Sequence, residues 1–556
     1  MHMKYFFIFL LFVFSIQVNA QKSGRYRVTF TDKANSKYSI NNPQAFLGTK
    51  AIERREKISV PISIQDIPVN QWYIDSIIAC NAKFCNKSKW FNSAVFSCDS
   101  ATTNFQKIQS FPFVLSVEWV APYHKAQPDA TLLVPDTLDY DSNYSLISAS
   151  PTTTIYGNSI KQIGLMNGTG LHKDGYMGQG MLMAVIDAGF LHVDSASVFR
   201  HLWENNSIVA YKDFSGANVN VFKEGYHGMA VLSLIGSYIP NRMIGTAPQA
   251  KFLLLRSEEG ATEYRVEEDN WTAAAEFADS AGVDVISTSL GYSEFDDSTQ
   301  NYTYSQLDGN TIRITRAADI AASKGILLFN SAGNSGLKPW KYITAPSDAD
   351  SVVTVGACYV NGRTTGFSSR GPTATGNLKP DVIALGYYPA IVKSNGVVEV
   401  TGMGTSFSCP ILAGMGACLW QEFPNATAQD IKRAIIASSD RYFYPDTISG
   451  NGVPDFEKAR FILRMNVLEN IFNQAKLYPN PFHEVLYFQI ESESLQIVRL
   501  ELFDLQGHRV ISKDIQLQTL ITTFEIPEVI KLQPGAYNAV ISFGNEHQIF
   551  KVIKQE

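Results

Sequence analysis

The chain has 556 residues, enough for about three or four folded units. Hydrophobic residues make up 45%, aromatics 12% and charged residues 18%, which supplies packed cores and excludes a disordered chain. Lys plus Arg total 46 against 52 Asp plus Glu, a net charge of −6, and the 38 Gly and 23 Pro follow no period; a nucleic-acid-binding footprint and a collagen-like fibre are excluded on those grounds.

At the N-terminus Lys4 precedes FFIFLLFVFSI at residues 6–16 and the small residues up to Ala20, the pattern of a signal peptide cut after Ala20. Eleven residues at about 1.5 Å each fall short of a hydrocarbon core of roughly 30 Å, so this is not a membrane span, and no later run reaches about 18 apolar residues. Residues 21–123 mix short strands (RYRVTF, SAVFSC, FVLSVEWV) with helical stretches at 43–57 and 70–82, a small α/β unit. Residues 124–154 lose apolar periodicity and gain Asp, Ser and Pro, as an exposed linker does.

From 155 to 465 apolar strands alternate with helices: MLMAVIDAGF, KFLLLR, DVISTSLG, GILLFNSAGN and SVVTVGA, between segments such as NWTAAAEFADSAG and ITRAADIAASKG. Runs apolar on both faces predict an α/β fold with a doubly wound parallel sheet covered by helices, its ligand site beyond the carboxyl ends of the strands. Later helical segments are SFSCPILAGMGACLWQEF and TAQDIKRAIIASSD, the second capped by Thr427 with Asp430 three residues on. From 476 to 556 alternating strands with turns at Asn480-Pro481, Gln506-Gly507 and Pro534-Gly535 predict a separate β-sandwich. There are no internal repeats. The six cysteines fall as Cys80, Cys85, Cys98 and Cys358, Cys409, Cys418; at most one bridge per set is expected, and buried free thiols are the simpler reading. Cys409 and Cys418 sit about 13.5 Å apart along one helix, too far to bridge.

Three polar residues stand where an α/β sheet places catalytic groups. Asp187 ends the run MLMAVI, His227 opens the apolar helix YHGMAVLSLIG, and Ser406 lies where the Gly-rich turn TGMGTS enters a helix. A serine hydroxyl attacks only when an imidazole takes its proton, and the imidazole needs a carboxylate to fix its tautomer. The helix start beside Ser406 offers free N–H groups to a developing oxyanion, Pro410 has no N–H to give the Ser406 carbonyl, and Asn334 in NSAGNSG offers a side-chain amide.

Motif by motif the segment 155–465 resembles the subtilisin-like serine proteases. The blocks are AVIDAG, HGMAVLSLIG followed by GTAPQAKFLLLR, STSLGY, SAGNSG, ITAPSDADSVVTVGA, FSSRGP, LKPDVIALG and GTSFSCPILAG. The resemblance implies Asp187, His227 and Ser406 as triad, and Asn334 with the Ser406 N–H as oxyanion hole. It also implies that Ser289, Leu290 and Gly291 pair with an extended substrate, and that Ser331, Ala332 and Gly333 line the pocket for the residue before the cleaved bond. Ala188, Met229 and Phe407-Ser408 depart from the family's usual residues, without removing a group that makes or breaks bonds. Residues 21–123, through FLGTKAIERREK, DIPVNQWYI and SKWFNS, resemble the inhibitory propeptides of exported Bacteroidetes-type subtilases. The end of the chain, through KLYPNPF, LFDLQGHRV, LQPGAY and FKVIKQE, resembles the C-terminal sorting domain of the type IX secretion system.

These resemblances imply a secreted endopeptidase acting on polypeptides, held by its own propeptide and carried across an outer membrane by secretion machinery. A silent, subtilase-shaped binding protein is the competing reading. An α/β-hydrolase esterase lacks support, since Gly404-Thr405-Ser406-Phe407-Ser408 has no second Gly and the chain order differs. Cys409 lies too far into its helix to attack, and no His-Glu-x-x-His appears. No cofactor is required and no metal site is assigned, although acidic loops such as Glu294-Phe295-Asp296-Asp297 leave room for structural calcium. His227 is expected within hydrogen-bond reach of both Asp187 and Ser406, with the Asn334 amide facing the space beside the Ser406 hydroxyl.

Overall fold

The computed structural model describes residues 22–123, 153–216, 219–473, 475–492, 497–517, 520–543 and 546–556. The expected signal peptide and nearly all of the expected linker lie outside the described residues.

The central sheet has seven strands, all parallel, in the order Val382–Leu385, Val353–Cys358, Leu327–Ser331, Val285–Thr288, Leu182–Asp187, Lys251–Arg256, Ile208–Asp213. Side chains alternate across a strand, and Leu182–Asp187 feeds two cores accordingly. Met183 and Val185 join the core that holds the helices Tyr226–Gly236 and Thr405–Glu422, while Leu182, Ala184 and Ile186 join the one under Val266–Ala281 and Arg313–Ser323. The chain starts this sheet in its middle, winds first toward Ile208–Asp213 and then the other way, so the winding reverses between Leu182–Asp187 and Val285–Thr288. A crevice at such a reversal is where α/β sheets bind ligands. Two of these strands were not singled out from sequence: Ile208–Asp213, a half-exposed edge strand with a polar end, and Val382–Leu385, only four residues long.

Before this domain, the strands Lys83–Ser88, Ser93–Cys98, Gly24–Phe30 and Val114–Pro122 form an antiparallel sheet in that order, with helices Thr49–Lys57, Gln71–Ile78 and Phe105–Ser110. Asn70 caps the second helix by accepting the Trp72 N–H at 2.9 Å. One side of the unit closes its own core around Phe30, Tyr73 and Phe96. On the catalytic side Val95, Val120 and Ala121 pack on Val266, and Trp90 enters the core beneath Val266–Ala281.

At the other end the helix Phe456–Asn473 leads into two antiparallel sheets, Lys476–Tyr478, Tyr487–Ser492, Leu520–Glu525 and Arg509–Gln516, Ile497–Phe503, Gly535–Phe543, Glu546–Lys554, around a core of Phe482, Leu500 and Ile541. The turn expected at Gln506-Gly507 separates the strands Ile497–Phe503 and Arg509–Gln516, and the chain folds back at Asp504, whose carboxylate accepts the Gln506 and His508 N–H groups at 2.9 and 2.8 Å. All six cysteines are free, Cys85 half-buried and the others buried. Among the described residues no helix is long and apolar enough to cross a membrane.

Candidate active site

Asp187 is the last residue of its strand and fully buried. Its Oδ1 accepts the Ala188 N–H at 2.7 Å, so the missing hydroxyl at position 188 leaves the carboxylate still tethered by the backbone. His227 Nδ1 lies 2.9 Å from Asp187 Oδ1 and 3.0 Å from Oδ2. Glycines let the His227 helix come this close. A Cβ on Gly228 would stand 2.1 Å from the Gly189 carbonyl oxygen, and one on Gly225, which caps the helix at φ +65°, 2.3 Å from that of Ala188. Burial disfavours a charged His227, but the Asp187 carboxylate, by charge and hydrogen bond, together with Glu258, holds its pKa above the ordinary value of 6.5.

Ser406 is the second residue of Thr405–Glu422. Pro410 leaves the Ser406 carbonyl without its helical donor, and the Ser289 hydroxyl fills that place at 2.9 Å; the Ser406 hydroxyl in turn donates to the Ser289 carbonyl at 3.3 Å. The expectation for His227 is therefore met on its Asp187 side alone. Ser406 and His227 make no hydrogen bond, although the rings of His227 and the neighbouring Phe407 are 5.9 Å apart. Such bonds are often long in substrate-free sites and tighten on binding.

Asn334 stands beside the same turn. Its Oδ1 accepts both the N–H and the hydroxyl of Thr405, at 2.9 and 3.2 Å, which leaves the amide Nδ2 without a partner among the described residues. Gly404 adopts φ +151°, and a Cβ there would lie 3.6 Å from Asn334 Nδ2 and 3.8 Å from the Ser406 N. Both candidate oxyanion donors thus flank one space that glycine keeps open. Thr405, fully buried, also accepts the Gly333 N–H at 3.1 Å; it ties the 333–334 loop to the Ser406 turn and was not singled out from sequence, because a threonine in a Gly-rich turn carries no distinctive signal.

The two expected substrate segments leave adjacent strands at the same end. Among the described residues no hydrogen bond engages the Leu290 N–H or the backbone of Gly291, which leaves an edge for an extended peptide. Across from it, Ser331, Ala332 and Gly333 are held by Ser347, Val355, Ser369 and Asn330; the Asn330 amide donates at 3.3 Å to the Leu290 carbonyl and at 2.9 Å to that of Ser331. Asn330 too went unmarked in the sequence.

Acidic groups gather nearby. Among the described residues Glu258, Glu263 and Glu267 form a group whose oxygens, within 4.8 Å of one another, could converge on a cation. Burial raises Glu258 to about 7 against the hydrogen bonds that the Tyr292 hydroxyl, at 2.7 Å, and the Ser257 hydroxyl donate to it, with the Asp187 charge adding to the rise; burial, then repulsion from neighbouring carboxylates, raises Glu263 to about 8 and Glu267 to about 11. The 294–297 loop turns its carboxylates to local use: Asp297 accepts the Thr299 N–H and hydroxyl, and Asp296 the Glu263 N–H.

Three family profiles match the chain. Residues 178–454 match the subtilase family, residues 25–131 the peptidase S8 propeptide domain of Bacteroidota, and residues 476–555 the secretion system C-terminal sorting domain. Serine protease AprX of Bacillus subtilis is 27% identical over 311 residues, which cover 51% of this chain and 66% of that protein. Subtilisin E of the same organism is 26% identical over 295 residues, covering 52% of this chain and 68% of its own length. The matches thus span about two thirds of these relatives. The crystal structure of MycP1 from Mycobacterium smegmatis aligns with a TM-score of 0.43 at 22% identity, covering 54% of this chain and 84% of that one.

Proposed function

The domain over residues 178–454 belongs to the subtilase family of serine-type endopeptidases, and from that premise we propose that the chain is a secreted endopeptidase that cleaves polypeptides through an acyl-enzyme on Ser406. The observation that carries the proposal is the meeting of His227, paired with the buried Asp187, with the turn in which Asn334 Nδ2 and the Ser406 N–H flank one open space. A substrate strand pairs with Leu290 and Gly291. Ser406 Oγ attacks the carbonyl carbon while its proton passes to His227 Nε2; Nδ1 stays on Asp187, which stabilises the imidazolium. The oxyanion takes the Asn334 and Ser406 donors. Collapse breaks the C–N bond, the imidazolium protonates the leaving amine, and a water activated by the same imidazole releases the acid. The chemistry calls for no metal or organic cofactor.

In the proposed cycle residues 25–131 act as an internal inhibitor, and the C-terminal domain directs type IX export to the cell surface or beyond. The Ser406 hydroxyl bonded to Ser289 instead of His227 favours one other reading, a silent binding protein. A fluorophosphonate separates the two. It is expected to label the processed wild type and not Ser406→Ala; an unlabelled processed wild type establishes the silent reading.

A further inference from the structure

Residues 343–345 run between the two substrate segments. The Thr344 N–H donates to the Ala332 carbonyl at 3.3 Å, Ala345 and Tyr292 exchange backbone bonds at 3.1 and 2.9 Å, and the Ile343 N–H donates to the Arg370 carbonyl at 3.0 Å. Thr344 is thereby fixed between 291–292 on one side and 332–333 on the other. It is 6% exposed, and its hydroxyl has no hydrogen-bond partner among the described residues. A Cβ on Gly291 would stand 2.0 Å from Thr344 Oγ1, and one on Gly333 3.0 Å from it and 2.9 Å from Ser369 Oγ. The absent side chains of two glycines are what leave room beside this hydroxyl, itself closed to solvent, at the place where the two segments meet. Buried hydroxyls are nearly always paired, and one left unpaired at a site points to a partner that arrives with the ligand.

We propose that Thr344 selects, for the residue immediately before the cleaved bond, a side chain that carries a neutral hydrogen-bonding group, a hydroxyl or a carboxamide. The inference rests on the endopeptidase reading and on 331–333 lining that pocket. The surrounding residues, Gly291, Ser331, Ala332, Gly333 and Ser369, bring hydroxyls and backbone and no ionisable group, so a charged substrate side chain is left uncompensated. An apolar one of equal shape leaves the Thr344 hydroxyl buried and unpaired.

The test uses the processed enzyme and three pairs of peptide p-nitroanilides that differ only before the scissile bond: Thr against Val, Asn against Leu, Tyr against Phe. Wild type is expected to favour the polar member by about 3–10-fold in kcat/KM, the value of one neutral hydrogen bond. Thr344→Val is expected to erase the preference and raise Tm, because it removes an unsatisfied group; Thr344→Ser is expected to keep the preference. Equal rates within every pair for wild type, a preference that survives Thr344→Val, or a lowered Tm in Thr344→Val overturns the proposal. If wild type cleaves neither these peptides nor a denatured protein substrate, the endopeptidase reading itself has failed, an outcome distinct from cleavage without discrimination.

Discussion

At the scale of single residues, the site depends on groups that hold other groups. Asn334 Nδ2 is free to donate because Thr405 occupies its Oδ1, so Asn334→Ala is expected to lower kcat by about 10²–10³-fold with KM little changed, as for loss of one oxyanion donor; steady-state kinetics on one peptide substrate check it. His227 acts as a base only when neutral. Its raised pKa therefore places the acid limb of kcat/KM above pH 6.5, with activity gained as pH rises through that pKa and lost below it. Glu258 contributes to that rise, so Glu258→Gln is expected to move the limb toward lower pH in a pH–rate profile. Asp187, His227, Ser406 and Asn334 were legible in the sequence because each sits in a short block with a distinctive neighbour. Thr405, Asn330 and Thr344 were not: their importance lies in what they touch across gaps of 71, 40 and 53 positions, which no local pattern encodes.

At the scale of elements, the helix Val266–Ala281 explains how the N-terminal unit is held. Three of its acidic residues, Asp269, Glu276 and Asp279, face that unit and are buried against it. Asp269 accepts Arg27 Nε at 2.9 Å, Asp279 accepts Arg54 and Arg55 at 2.6 and 2.7 Å, and Glu276 accepts the Ser88 hydroxyl and the Lys89 and Trp90 N–H groups at 2.5, 2.7 and 2.9 Å. Burial works against a charged Asp279, yet Lys89, Arg55 and Arg54 together hold its carboxyl well below the usual carboxylate range. Removing one member of a buried network leaves the others unpaired, at a cost of about 3–5 kcal/mol. Asp279→Asn is therefore expected to hasten release of the N-terminal unit during processing of the full chain, followed on gels, while the processed enzyme keeps its kcat/KM. Sequence alone marked NWTAAAEFADSAG as helical from its spacing. It gave no sign that the acidic face is an interface, because solvated faces carry the same charges.

At the scale of the whole molecule, separate cores divide the labour. The core around Phe482, Leu500 and Ile541 shares no residue with the two that flank the catalytic sheet. A chain ending after Asn473 is expected to keep peptidase activity once processed and to lose delivery to the cell surface, as read by activity in cell fractions. The three-part division was readable in the shift from mixed to parallel-sheet to alternating patterns; the short and polar strands, Lys83–Ser88 among them, were not, because tertiary packing rather than periodicity makes them strands. The central claim is that three side chains act as one catalytic device, and such devices lose function non-additively. The most direct test is kcat of the processed Ser406→Ala and His227→Ala enzymes beside the double variant. Each single change is expected to cost about 10⁴-fold or more, with the double no worse than either alone; retained activity in a single variant, or losses that multiply in the double, would contradict the account.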